Sequence, residues 1–353
     1  MTSILKRAIT SIKSQFPLKN YINKSSAFKV NRHFSVGTTK NMKLVQFSYK
    51  DCPCDIYVGY LINDNLVEVN KADPSIPYSL LDILRTDSLD KVRKVVCTNP
   101  DPIPLNAVNL VAPIHGMDKI LCVGLNYRDH CAEQNLTPPE VPIIFSKFSS
   151  TIIGPGAAVR LRNCAKVHFL LYSTKCLTFS TNWGQLLEQI KLVDWEVELA
   201  VVIGKTATNV RAEEAYDYVL GYTVAQDISA RDWQKAKNGG QFLLGKSMDT
   251  FCPIGPCITT QGSIGDPENL TIRCSVNGVQ KQCSKTDQLI HKIPDIIERL
   301  TCVMTLLPGD IILTGTPGGV GMYRNPPEYL KPGDVICSEI ENIGVLVTKV
   351  AKF

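Results

Sequence analysis

The sequence predicts a strand-rich α+β fold. Many short segments carry strand patterns, and few long helices interrupt them. Asn277-Gly278 sits between Leu270–Val276 and Val279–Cys283, which is a strong hairpin signal. The strict strand–helix alternation of a doubly wound sheet is absent. With 353 residues, 44% of them apolar, the chain has enough apolar side chains for one large domain, or for one with a small companion.

In chain order, residues 1–41 form a leader. The first 50 residues hold ten Lys or Arg and no Asp or Glu, and the rest holds 28 basic against 33 acidic residues. The formal net charge of +5 therefore belongs to the leader and gives no argument for nucleic-acid binding. Lys, Arg and Ser with scattered Ile4, Leu5, Ile9 and Ile12 make the composition of a mitochondrial transit peptide, which predicts a matrix location. The run Arg32-His33-Phe34-Ser35 resembles a matrix-processing site. A disordered basic tail is the plainer reading. No apolar run reaches the roughly 18 residues of a membrane span, so no membrane partner is expected. The 13 cysteines include no CxxC pair, which argues against structural zinc and for reduced, mostly apolar thiols.

Residues 42–113 read as a small N-terminal subdomain with its linker. Strands are predicted at Lys43–Ser48, Ile56–Ile62 and Leu66–Asn70, and helices at Ser79–Arg85 and Leu89–Val96. The Pro-rich stretch Asn99–Pro113 reads as the linker. Residues 114–353 form the main body. Its predicted strands are Ile120–Val123, Ile143–Phe145, Trp195–Gly204, Val219–Ala225, the hairpin, Ile311–Leu313, Cys337–Glu341 and Gly344–Val350. Helices are predicted at Tyr127–Gln134, Ala212–Tyr218 and Pro294–Thr305. Trp195–Gly204 begins with alternation and ends as an apolar run, which predicts a strand half exposed at its start and buried at its end. Residues 167–189 are apolar, partly aromatic and without strand or helix period.

Chemistry gathers around a few acids. Glu196 and Glu198 are two apart on a strand and share a face. Beside the apolar Leu199–Ile203 they would repel one another unless a hard divalent cation lay between them, and carboxylate oxygens suit Mg²⁺. An acidic, solvent-facing strand edge is the alternative. Asp227 ends a buried strand and opens a polar run, where it would complete a three-carboxylate site or simply cap a helix. Arg231 would meet a substrate carboxylate through two parallel hydrogen bonds. His130 and Glu133, at i and i+3, make either a general base with its orienting acid or a surface pair. Lys246 follows the apolar Phe242-Leu243-Leu244 and suits enolate stabilisation or proton transfer. In residues 314–321 glycines allow close backbone approach to a ligand, and Thr316 offers a hydroxyl and an amide; a tight structural turn is the alternative. The loop lacks the Walker lysine, which argues against nucleotide binding.

Five motifs stand in a fixed order: GLNYRDHCAEQ (124–134), VDWEVELAVVIGK (193–205), GYTVAQDISARDWQ (221–234), LLGKSMDTFCPIGP (243–256) and LTGTPGGVG (313–321). Together they resemble the fumarylacetoacetate hydrolase family, over roughly residues 43–352. The resemblance implies a mixed β-barrel or β-roll catalytic domain, usually a homodimer, with Mg²⁺ or Mn²⁺ and Ca²⁺ as a further option. It implies Glu196, Glu198 and Asp227 as metal ligands, His130 and Glu133 as the water-activating dyad, and Lys246 as the active-site lysine. Lys147, Arg231, Gln234 and Thr316 match positions near the substrate. The substrate implied is a small 2-oxo acid, converted through a metal-stabilised enolate. Relatives of this type look like oxaloacetate tautomerases; acylpyruvate hydrolysis and oxaloacetate decarboxylation share the enolate. The chain departs from the pattern at 167–189, an atypical insertion just before the metal strand. If that insertion obstructs the site, the chain is instead an inactive metal- or metabolite-binding protein.

Overall fold

The computed structural model describes residues 42–98, 101–161, 190 and 192–353. The predicted leader (1–41) and the insertion (167–189) lie outside the described residues. The largest sheet has twelve strands. Edge to edge it runs through Ile103–Pro104, Asn65–Glu68, Tyr57–Ile62, Lys43–Tyr49, Cys252–Thr260, Val219–Gln226, Val197–Ile203, Ile311–Leu313, Ile120–Gly124 and Ile143–Lys147. Val108–Leu110 pairs with Lys43–Tyr49, and Ile152–Ile153 lies parallel to Cys252–Thr260. A second, five-stranded sheet contains the hairpin Thr271–Val276 and Val279–Lys285, followed by Val335–Ile340, Gly344–Lys352 and Ala158–Leu161. Hydrogen bonding is mixed: most pairs are antiparallel, while Ile311–Leu313 runs parallel to Ile120–Gly124. This is the strand-rich α+β fold that the sequence predicts.

The strand Val197–Ile203 is the axis of the site. It pairs antiparallel with Val219–Gln226 on one side and Ile311–Leu313 on the other. Val197, Leu199, Val201 and Ile203 enter one apolar cluster, and Ala200 and Val202 the opposite one. Burying each larger apolar side chain contributes about 1.5–3 kcal/mol. Glu198 lies on the Ala200–Val202 face by the two-residue period, so a charged group is committed to a buried face. The expected exposed start is not found: every residue of the strand is buried. Pairing on both edges and packing on both faces override the alternating pattern.

Two more differences have backbone causes. The predicted linker contains the strands Ile103–Pro104 and Val108–Leu110, with Pro104 at a sheet edge where no amide is needed. The nine-residue strand Cys252–Thr260 was not anticipated, because Pro253 and Pro256 argue against a central strand. It nonetheless joins Lys43–Tyr49 to Val219–Gln226, with an irregular register between Tyr222 and Val224. There Gly221 lets two backbones close up: a Cβ would stand 2.2 Å from the Thr259 carbonyl oxygen. The segment 42–113 thus contributes strands to the same sheet that carries the site. The helix predicted at Tyr127–Gln134 spans Arg128–Glu133, and Pro294 opens the helix Ile293–Val303. Among the described residues, no helix is long and apolar enough to cross a membrane.

Candidate active site

Glu196, Glu198 and Asp227 converge. Each offers a carboxylate oxygen, and the three oxygens lie within 4.8 Å of one another. The three residues are buried, at 5%, 2% and 0% exposure. Asp227 follows the strand Val219–Gln226, and its amide donates to the Glu196 carbonyl at 2.9 Å, which fixes the two acids side by side. Gln226 adds a second tie, its side-chain oxygen accepting from the Glu196 amide at 2.9 Å.

Buried cations surround the acids. The Lys246 ammonium donates to Glu196 Oε2 at 2.8 Å and to Asp227 Oδ2 at 2.6 Å. Lys147 donates to Asp227 Oδ1 at 2.6 Å and to the Ile228 carbonyl at 3.2 Å, so it stands behind Asp227. Arg231 lies 2.6 Å from Glu196 Oε1 through Nη1. Its Nε and Nη2 both donate to Asp194 Oδ2, at 2.9 and 2.8 Å, and Nη1 also donates to Gln234 Oε1 at 3.0 Å. Four buried acids (Asp194, Glu196, Glu198, Asp227) thus face three buried cations, leaving one net negative charge when all are ionised.

The charge is unevenly matched. Burial works to raise the Glu196 carboxyl, but Lys246 and Arg231 outweigh it and hold the group well below the usual carboxylate range. Burial pushes the Glu198 carboxyl well up, and the negative charges of Asp227 and Glu196 push it the same way. Burial opposes the charge of Lys246, yet Asp227 and Glu196 hold the ammonium above its ordinary range. Among the described residues Glu198 has no ion-pair partner; it accepts the Gly315 amide at 2.7 Å. A divalent cation fits this donor set: hard oxygens, closely spaced, with one acid lacking a counter-charge.

The glycine loop supports the floor. Gly315 has φ +108°, and a Cβ there would meet Asn126 Cβ at 2.8 Å. The Thr316 hydroxyl donates to the Val197 carbonyl at 2.9 Å and accepts from Gln282 at 2.8 Å, so it braces the strand at the edge of the cavity that it lines. Further along, Gly318 and Gly319 donate to Asp129 Oδ1 at 3.2 Å and Glu133 Oε2 at 2.7 Å, clamping the helix Arg128–Glu133 over the site. On that helix His130 Nδ1 lies 2.5 Å from Glu133 Oε1, and His130 is itself buried. The resulting cavity, about 210 Å³, is lined by His130, Glu196, Glu198, Asp227, Gln234 and Lys246 among others. That volume suits a small acid and not a nucleotide.

The predicted site residues therefore meet in one place, and three of those expected near a substrate also make contacts within the protein. Arg231 has its donors on Asp194, Glu196 and Gln234, and Lys147 supports Asp227 from behind. Sequence reasoning missed Asp194, which anchors Arg231 and also accepts the Gly321 amide at 2.7 Å and the Met322 amide at 3.0 Å. Its place two before Glu196, at the same strand period, was the available signal. Tyr323 and Lys235, which also border the cavity, were missed as well.

Known proteins resemble this chain over most of its length. The family model described as fumarylacetoacetate (FAA) hydrolase C-terminal matches residues 119–351. The chain is 42% identical over 319 residues to the oxaloacetate tautomerase fahd2, mitochondrial, of Xenopus laevis, covering 89% of this chain and 92% of that one. It is 43% identical over 287 residues to the human oxaloacetate tautomerase FAHD2A, mitochondrial, covering 81% and 83%. Among solved structures, a fumarylacetoacetate hydrolase from Exiguobacterium antarcticum is similar at TM-score 0.70 and 30% identity, covering 88% of this chain and 100% of that one. A maleylpyruvate hydrolase from Sphingobium sp. SYK-6, in complex with manganese(II) and pyruvate, is similar at TM-score 0.66 and 27% identity, covering 88% and 99%.

Proposed function

The chain belongs to the fumarylacetoacetate hydrolase family, and on that premise we propose that it is a mitochondrial oxaloacetate keto–enol tautomerase. The observation that carries this reading is the buried cluster of Glu196, Glu198 and Asp227 opening into a small cavity. We assign these acids to a divalent ion, Mg²⁺ or Mn²⁺. The manganese(II) and pyruvate held by the Sphingobium relative support an ion of this class. Bound there, the ion would supply electrophilic stabilisation of enolate charge on a 2-oxo acid.

The protein's own groups supply the rest. Arg231 and Lys246 fix the Glu196 carboxylate, and the Gly315 amide fixes Glu198. In the enol-to-keto direction C3 gains a proton and the enol hydroxyl loses one. Lys246 lines the cavity between Glu196 and Asp227, whose charges keep its ammonium tightly protonated, so it is assigned to donate to C3 once a bound cation would draw off part of that charge. The proton from the hydroxyl passes to solvent, and solvent restores the ammonium. The helix Arg128–Glu133 keeps bulk water away from the enolate.

The pairing of His130 with Glu133 at 2.5 Å favours a second reading, hydrolysis of acylpyruvates, in which the imidazole activates a water. The two separate cleanly by assay. Decay of enol-oxaloacetate absorbance and cleavage of an acylpyruvate are measured for wild type, Lys246→Met and His130→Gln in Mg²⁺ buffer. The tautomerase reading expects fast enol decay, lost in Lys246→Met and partly kept in His130→Gln. Acylpyruvate cleavage without enol decay would replace it with the hydrolase reading. Residues 1–41 are proposed as a transit peptide, a reading supported by relatives named as mitochondrial. Residues 42–113 are proposed as a small subdomain beside the catalytic body 114–353, and the assembly as a homodimer.

A further inference from the structure

Among the described residues, three Lys or Arg side chains line the cavity: Arg231, Lys235 and Lys246. Two are already committed. Lys246 lies on Glu196 and Asp227, and Arg231 on Asp194 and Glu196, and both are buried. Neither has its charge free for a substrate carboxylate.

Lys235 differs. It ends the helix Arg231–Lys235, one turn after Arg231 and on the same face. It is exposed at the mouth of the cavity. Its contact is with a neutral group, the Tyr323 hydroxyl, to which its ammonium donates at 2.7 Å. Tyr323 in turn stands edge-on to the His130 ring, with centroids 6.1 Å apart. A phenol does not neutralise an ammonium, so this pair presents a positive charge and a hydroxyl donor at the rim. The acid cluster that lines the same cavity is buried.

We infer that Lys235 and Tyr323 form the subsite for the second carboxylate of the substrate, making the enzyme selective for dicarboxylic 2-oxo acids. This rests on the reading above, in which the 2-oxo acid end sits at Glu196, Glu198 and Asp227. A lysine serves as a compact point charge, and the tyrosine hydroxyl, accepting from the lysine, donates its own hydrogen to the carboxylate. Both bonds to the carboxylate are charge-assisted. A monocarboxylic 2-oxo acid leaves the pair facing solvent and gains nothing from it.

Pyruvate and oxaloacetate share the 2-oxo acid end and differ by the second carboxylate. Their binding to the full-length protein is measured by calorimetry in Mg²⁺ buffer, alongside enol-oxaloacetate decay, for wild type, Lys235→Met, Lys235→Arg and Tyr323→Phe. Wild type is expected to bind oxaloacetate about tenfold or more tightly than pyruvate, as one charge-assisted contact provides. Lys235→Met is expected to abolish that preference while the pyruvate Kd stays within twofold, roughly the precision of such a comparison. Lys235→Arg restores part of it, and Tyr323→Phe loses part. An unchanged preference in Lys235→Met, or equal weakening of both ligands, overturns the inference. Preference without enol decay would sink the tautomerase reading and leave the dicarboxylate subsite standing; enol decay with an unaltered preference does the reverse.

Discussion

The floor of the cavity and the helix that covers it are built on different principles. Glu196, Glu198 and Asp227 are set by strands paired on both sides, and their neighbours Lys147, Lys246 and Arg231 are buried with them. His130 rides on the six-residue helix Arg128–Glu133, whose hold on the body includes hydrogen bonds from Gly318 and Gly319 and one from the Ser284 hydroxyl to Asp129 at 2.5 Å. The floor is part of the folding core, so disturbing it costs stability as well as activity. The cover is clipped on through polar contacts, which are individually worth about 0.5–1.5 kcal/mol.

The largest expected effect is on the floor. Asp194→Ala removes the carboxylate that receives two Arg231 donors, leaving a buried guanidinium half-compensated. A loss of about 3–5 kcal/mol is expected in denaturant unfolding, together with loss of activity. An unfolding midpoint like that of wild type would show that Arg231 is held by Glu196 alone. Next comes Gly315→Ala, at φ +108° with Asn126 Cβ only 2.8 Å from the added carbon. It is expected to cost about 1–3 kcal/mol and to weaken metal binding by moving the amide that Glu198 accepts.

How far these groups could be read from sequence follows the same division. The period of two placed Glu196 and Glu198 on one face, and the end of an apolar run placed Asp227 at a strand terminus. The pairing of His130 with Glu133 followed from helical spacing alone. What was not legible depends on contacts between distant segments. Arg231 meets Asp194 across 37 residues, a contact that local spacing gives no sign of. The strand Cys252–Thr260 was hidden because its prolines break local rules that its position in the sheet overrides. Thr316 lines the cavity as read, but that its hydroxyl also braces the Val197 carbonyl was not legible.

Changes to the cover are expected to be smaller and to leave the core strands undisturbed. Glu133→Gln weakens the His130 contact and the clamp from Gly319. Acylpyruvate cleavage, if present, should fall by about 10²-fold or more, as loss of general-base assistance does. Tautomerisation should fall far less, and the unfolding midpoint should hold. Asp129→Asn, the mildest change, loosens contacts to Gly318 and Ser284 and costs about 1 kcal/mol of local stability. Hydrogen exchange should rise in 128–133 and not in Val197–Ile203. Equal protection losses in both segments would erase the distinction between floor and cover.

The central claim is that three buried carboxylates hold one divalent ion. Mn²⁺ binding to the metal-stripped protein, measured by calorimetry on wild type and Glu198→Gln, addresses it directly. One ion per chain in wild type is expected, with affinity reduced about a hundredfold or more in Glu198→Gln, beyond what loss of a supporting contact costs. Unchanged Mn²⁺ affinity in a folded Glu198→Gln protein would contradict the account.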